Sequence, residues 1–90
     1  MKINKILDHA IKVNGEHLQT LIAIEEMSEL TKALIKKIRA EDRGEVDGGH
    51  IEAIEEELAD VWIMTKALIR MYPNIEEHLK SKLEKLKELE

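Results

Sequence analysis

Cysteine is absent from this chain, which removes disulfides and thiolate metal sites. Phenylalanine is absent too, and Trp62 and Tyr72 are the only aromatic residues, which argues against a stacking surface for single-stranded nucleic acid. There is no excess of positive charge. The formal net charge of −5 argues against a protein that grips a phosphate backbone, so no nucleic-acid polymer is expected as a partner. An acidic protein can still bind a polyphosphate when a divalent cation sits between them. No apolar run approaches the roughly 18 residues a membrane span needs. The opening Met1-Lys2-Ile3-Asn4-Lys5 lacks the apolar run of a signal peptide. The expectation is a soluble, cytoplasmic protein with no membrane partner.

What is abundant is helix-forming. Leu, Ile, Glu, Lys and Ala dominate, and proline occurs once, at Pro73. Ninety residues make a single domain, 1–90. A chain this short is marginal on its own and gains stability from a metal or from oligomerisation.

Apolar residues at Ile3, Ile6, Leu7, Ala10 and Ile11 have the spacing of a short amphipathic helix, and Asn14-Gly15 reads as its end. A long helical pattern follows over about 16–39. The stretch from Ala40 to Gly49 holds three glycines and mixed charge, and predicts a loop with little core to bury. A third helix is predicted over about 50–72, stopped by Pro73. Asn74 with Glu77 three residues on has the form of a capping box for a last helix. That helix carries a narrow seam of Ile75, Leu79, Leu83, Leu86 and Leu89. The fold class expected is all-α: an antiparallel bundle of two long helices and two shorter ones. From Leu58 to Tyr72 the third helix is apolar on most sides, which predicts burial on several sides and a partner subunit to supply it.

The carboxylates break this pattern. At about 100° per residue, Ile22, Ala23, Met27, Leu30, Leu34 and Ile38 form a broad apolar face on the second helix. Glu26 falls inside that face and Glu29 at its edge, while Glu25 sits further toward the polar side. On the third helix Glu57 and Asp60 fall among Ala53, Met64, Ala67, Leu68 and Met71. Two acidic pairs spaced i, i+3 therefore project from the apolar sides of neighbouring helices. Ionised carboxylates are costly to bury without a partner. Lys37 lies near the Glu26 side and can pair with one of them. A hard divalent cation can hold all four, because Mg²⁺ takes oxygen ligands and joins carboxylates to substrate phosphates. The plainer reading is a solvated acidic face. With 19 acids in the chain, one Glu-Glu-x-x-Glu is expected by chance, and the signal lies in the combination of the two pairs.

Glu25-Glu26-x-x-Glu29, then 27 residues, then Glu57-x-x-Asp60, resembles the signature of the MazG-like all-α nucleotide pyrophosphohydrolases. The segments IEEMSELTKALIKK and EEELADVWIMTKAL are similar to that family's two motif helices, and the likeness covers about residues 16–72. The resemblance implies a Mg²⁺-dependent enzyme, with Mn²⁺ as a substitute. It would cleave a nucleoside triphosphate to the monophosphate and pyrophosphate, in nucleotide-pool house-cleaning. It implies a homodimer or homotetramer. By the same resemblance Glu26, Glu29, Glu57 and Asp60 would be metal ligands. Glu25 would stand behind them, bind an additional ion, or orient the attacking water. No Ser, Cys or His nucleophile is then needed.

Phosphoribosyl-ATP pyrophosphohydrolases belong to the same superfamily. Their second motif usually continues with Tyr-His, whereas Asp60 here is followed by Val61-Trp62. A non-enzymatic helical dimerisation or partner-binding module is the other alternative. Gln19 lies on nearly the same stripe as Glu26, where it would touch base or sugar, or be a partly exposed polar residue. Lys36 and Lys82 are candidates for reaching phosphates, Lys82 in its own or a partner subunit, against the plainer reading of solvated lysines. Trp62 projects away from Glu57 and Asp60 and is expected in core or interface.

Overall fold

The computed structural model describes residues 2–46 and 48–89. Those residues form α1 (Ile3–Asn14), α2 (Glu16–Asp42), α3 (His50–Met71) and α4 (Glu76–Leu86), with no strand among them. The parts of the expected loop and tail at Asp47 and Glu90 lie outside the described residues.

A single residue, Gly15, separates α1 from α2. Its φ of 81° and ψ of 154° lie in a region that side-chain-bearing residues all but avoid. Its N–H donates to the Ile11 carbonyl at 2.8 Å and closes the last turn of α1. A Cβ at this position would meet nothing within 4 Å, so the constraint is one of backbone conformation alone.

The main packing is α2 on α3, with α1 laid against both. Gln19 of α2 meets Met64 of α3, and further along α2 Glu26 meets Glu57 and Asp60. The buried apolar core is Leu7, Ala23, Ala40 and Ala67. Alanines at the seam let the helix backbones approach closely, but they remove little apolar surface from water. The broad apolar face expected on α2 is accordingly split. Ala23 is buried and Leu30 half-buried, while Met27, Leu34 and Ile38 are exposed. A stripe that wide needs two covering layers, and this chain supplies one.

A bidentate ion pair ties α1 to α3. Arg70 donates from Nε to Asp8 Oδ1 at 2.8 Å and from Nη2 to Oδ2 at 2.7 Å. These bonds hold the Asp8 carboxyl below its usual value and the Arg70 guanidinium above its own. The clamp is intact above the ordinary carboxylate range, and its contribution is lost as the pH falls through the lowered Asp8 value.

Two expectations are corrected. Ala40 to Asp42 belong to α2 rather than to the loop, and Ala40 is buried against the fold. The chain beyond them is braced by Glu45 N–H donating to the Ala40 carbonyl at 2.9 Å and by an Arg43–Glu45 ion pair at 2.7 Å. The capping box at Asn74 does not form. Asn74 and Ile75 make a turn, α4 starts at Glu76, and no side chain caps it. Glu76 and Glu77 sit in the first turn instead, where negative charge favours the helix dipole.

Helix α4 packs against none of the other helices. The radius of gyration is 16.5 Å, where a compact chain of this length has about 12 Å. The accessible surface is 7494 Å², against about 5,400 Å² for a compact chain of this mass.

Replacing Gly15 by Ala is expected to destabilise the fold by about 1–3 kcal/mol while leaving helicity unchanged. Urea unfolding followed by circular dichroism measures both, and an unshifted midpoint would refute the requirement for this backbone conformation.

Candidate metal centre

The register of α2 against α3 decides which acids meet. Three of them, Glu26, Glu57 and Asp60, each present a carboxylate oxygen within 4.8 Å of the others. Glu26 and Glu57 are half-buried in the seam, and Asp60 is exposed at its mouth. Among the described residues none of the three is paired with a lysine or arginine. Lys37 lies further along α2 and spends its charge on Glu41, at 3.0 Å.

This crowding leaves its mark on Glu26, whose carboxyl is pushed above its ordinary value of 4.5. Desolvation between the helices is the largest cause. The charges of Asp60 and Glu57, a hydrogen bond shared with Asp60, and the charge of Glu29 act in the same direction. Glu57 bears a second mark: its Oε2 is buried and has no hydrogen-bond partner. A buried acceptor without a partner costs free energy, more so when ionised. An all-oxygen set with one orphaned buried oxygen is of the chemistry that could hold a hard divalent cation such as Mg²⁺ or Mn²⁺, which would bind that oxygen and offset two of the three negative charges.

The remaining candidates lie as follows. Glu29 is one turn from Glu26 but exposed, with Lys32 Nζ at 3.5 Å, and its carboxylate is outside the three-acid group. Glu25 is exposed, and its carbonyl accepts the Ser28 hydroxyl at 2.8 Å. Gln19 is neither partly exposed nor turned toward the acids. It is 2% exposed, accepts from Asn14 Nδ2 at 3.0 Å, and donates to Met64 Sδ at 3.4 Å. Lys36 is exposed on α2 and makes no ion pair among the described residues. Lys82 sits on α4, which packs against neither acid-bearing helix, so within one chain it stands apart from Glu26, Glu57 and Asp60.

Two features here were not singled out from the chain. The Asn14–Gln19–Met64 contact joins the α1–α2 turn to α3 one turn beyond Asp60. Its only trace in the sequence is the position of Gln19 on the Glu26 stripe. The other is a cleft of about 230 Å³ at the α2–α3 loop, lined by Lys37, Glu41, Glu45 and His50 and by none of Glu25, Glu26, Glu29, Glu57 and Asp60.

A carboxyl with a raised value in the folded state binds protons there more readily than in the unfolded chain. Stability therefore falls as the pH rises from 4.5 through the raised Glu26 value, and the loss persists above it. The metal-free protein is expected to rise in Tm as the pH is lowered from neutral toward the ordinary carboxylate range. Glu26→Gln should be the more stable at neutral pH and should flatten that dependence. Thermal melts of both proteins in chelator across this range test it, and parallel curves would count against repulsion at Glu26. Ligand carboxylates must be ionised to hold a cation, so any Mg²⁺-induced rise in Tm should shrink as the pH is lowered.

No family model, no curated protein and no solved structure matches the chain, and the reading of this centre rests on its own residues and geometry.

Proposed function

We propose that the protein is a Mg²⁺-dependent nucleoside triphosphate pyrophosphohydrolase, converting a (d)NTP to the monophosphate and pyrophosphate. The observation that carries this reading is the convergence of Glu26, Glu57 and Asp60 from two helices, with Glu57 Oε2 buried and unpartnered. The likeness of the paired acidic motifs to the MazG-like enzymes supplies the reaction class.

Glu26, Glu57 and Asp60 would hold the cation. Glu29, one turn along α2, is proposed as a fourth holder that gives up Lys32 on binding. When bound, the metal supplies neutralisation of the triphosphate charge and a more acidic water. Glu25, exposed on α2 next to Glu26 in the chain, is proposed to orient a water or to take its proton. Asp60 at the mouth of the seam faces incoming substrate, while Glu57 anchors the site from within. Gln19 supports the site from behind, because its amide holds Met64 one turn along α3 from Asp60. Lys36 remains a candidate for reaching phosphates within the chain, and Lys82 from a second chain.

We further propose that the working form is a homo-oligomer, in which the α2–α3 pair is antiparallel and forms half of a bundle. The exposed surface exceeds that of a compact chain by on the order of 2,000 Å², more than the roughly 800 Å² each partner gives to a stable interface. Met27, Leu34, Ile38 and Leu58 are large, apolar and exposed along the two long helices. Thr31 lies on the same outer side of α2, and its hydroxyl is already bonded to the Met27 carbonyl at 3.0 Å, so it can enter an apolar interface. The same exposed surface also favours a second reading, a helical self-association module whose acids hold no metal.

A panel of (d)NTPs with Mg²⁺ separates the two. Release of pyrophosphate and monophosphate is expected, and Glu57→Gln should lower turnover by about a hundredfold or more, the scale of losing one stabiliser of transition-state charge. Absence of cleavage across the panel, together with unchanged Mg²⁺ binding by Glu57→Gln, would establish the non-enzymatic reading.

A further inference from the structure

Two apolar surfaces among the described residues are left uncovered, one concave and one on the side of a helix. The first is a cleft of about 250 Å³ where α1 meets α3, lined by Ile3, Ile6, Leu7, Trp62 and Ile63. Trp62 is 49% exposed there, and the Lys66 ammonium lies 5.4 Å from the centre of its ring. The second is the stripe on α4. Leu79 and Leu83 are 51% and 50% exposed, and with Leu86 they repeat at helical spacing along one side. Nothing within the chain covers this stripe, because α4 packs on no other helix. The connection Tyr72-Pro73 sends α4 away from α3: Tyr72 has φ −128° and ψ 74°, and Pro73 cannot continue the helix.

We propose that α4 is an exchange arm, and that its Leu79–Leu83–Leu86 stripe docks in the Ile3–Ile6–Trp62–Ile63 cleft of a second copy of this chain. The proposal rests on the self-association argued above and names one surface that carries it. An amphipathic helix laid in an apolar groove is a common recognition mode, read through anchors at i, i+4 and i+7, the spacing of Leu79, Leu83 and Leu86. A part-exposed tryptophan in an apolar pocket is the residue type that most often dominates such interfaces. An 11-residue helix with a charged outer face has little reason to persist as an isolated projection. Docked on a partner, it would bury its only apolar side. Two such contacts related by a two-fold axis close on themselves, so the arrangement ends at a dimer unless another surface extends it. Lys82 lies at the border of the stripe and would travel with α4 to the partner subunit.

The absence of cysteine makes the test clean, since introduced thiols are the only ones present. Chains carrying Ile6→Cys and Leu83→Cys, on differently tagged copies, are co-expressed and treated with a short bis-maleimide. The mass of the unmodified protein is measured in parallel by light scattering, and circular dichroism checks that each variant keeps its helicity. The expected result is a cross-link between the two tagged chains, in yield at least roughly tenfold above a control pair with Lys12→Cys on the opposite side of α1. A cross-link formed within one chain of the double variant at high dilution would overturn the proposal, because α4 would then fold back on its own cleft. No Ile6–Leu83 cross-link in an oligomeric protein would overturn it while leaving self-association standing. A monomeric unmodified protein would remove both.

Discussion

Three carboxylates in the seam between α2 and α3 set the terms for the rest of this molecule. Glu26, Glu57 and Asp60 lie within 4.8 Å of one another through their oxygens, with no lysine or arginine among them. Two helices normally join by burying apolar stripes, and here the join is thinned by charge. The buried apolar residues of these two helices are small, Ala23, Ala40 and Ala67, and polar contacts add to them near the α1 end, where Gln19 links Asn14 to Met64. The acids keep the marks of that crowding: a Glu26 carboxyl pushed above its ordinary value, an orphaned oxygen at Glu57, and an exposed Asp60, the features on which the proposed cation site rests.

The same thin core explains the outer surface. The apolar surface of α2 and α3 that the seam does not use is left facing outward, as at Met27, Leu34, Ile38 and Leu58. A carboxylate site between two helices, exposed apolar surface on both of them, and a detached amphipathic α4 are one arrangement. The acids occupy positions where a larger domain would have its own core, so the burial must come from elsewhere. Self-association is the proposed source. It would also dry the surroundings of the acids and strengthen their hold on a cation, because charge–charge interactions grow as water is excluded.

Much of this is legible in the order of residues. Helical periodicity places α3 at its observed start, since Gly49 and His50 mark it, and Pro73 marks its end. It misses the last turn of α2, because Ala40-Glu41-Asp42 has no apolar periodicity of its own. Those residues stay helical through backbone bonds and the burial of Ala40. The Asn74 capping box looked sound locally, yet the turn that redirects the chain after Pro73 takes up Asn74 and delays the helix. Wheel angles put Glu26, Glu29, Glu57 and Asp60 on or at the edge of apolar sides, since an advance of about 100° per residue needs no knowledge of the neighbour, but they do not separate Glu29 from the three that meet.

By itself, then, the sequence determined the all-helical class, the two long helices, and the helix sides on which these acids lie, all properties of a helix considered alone. Only the tertiary structure decided which acids meet. Register and interhelical rotation bring Glu26 to Glu57 and Asp60, leave Glu29 outside with Lys32, and turn Gln19 toward Asn14 and Met64. It also decided that α4 stands clear of the other helices and that the wide apolar faces remain uncovered. The physical reason is the same in each case. Local periodicity fixes the direction of a side chain from its own axis, whereas distance and burial depend on where the next axis lies.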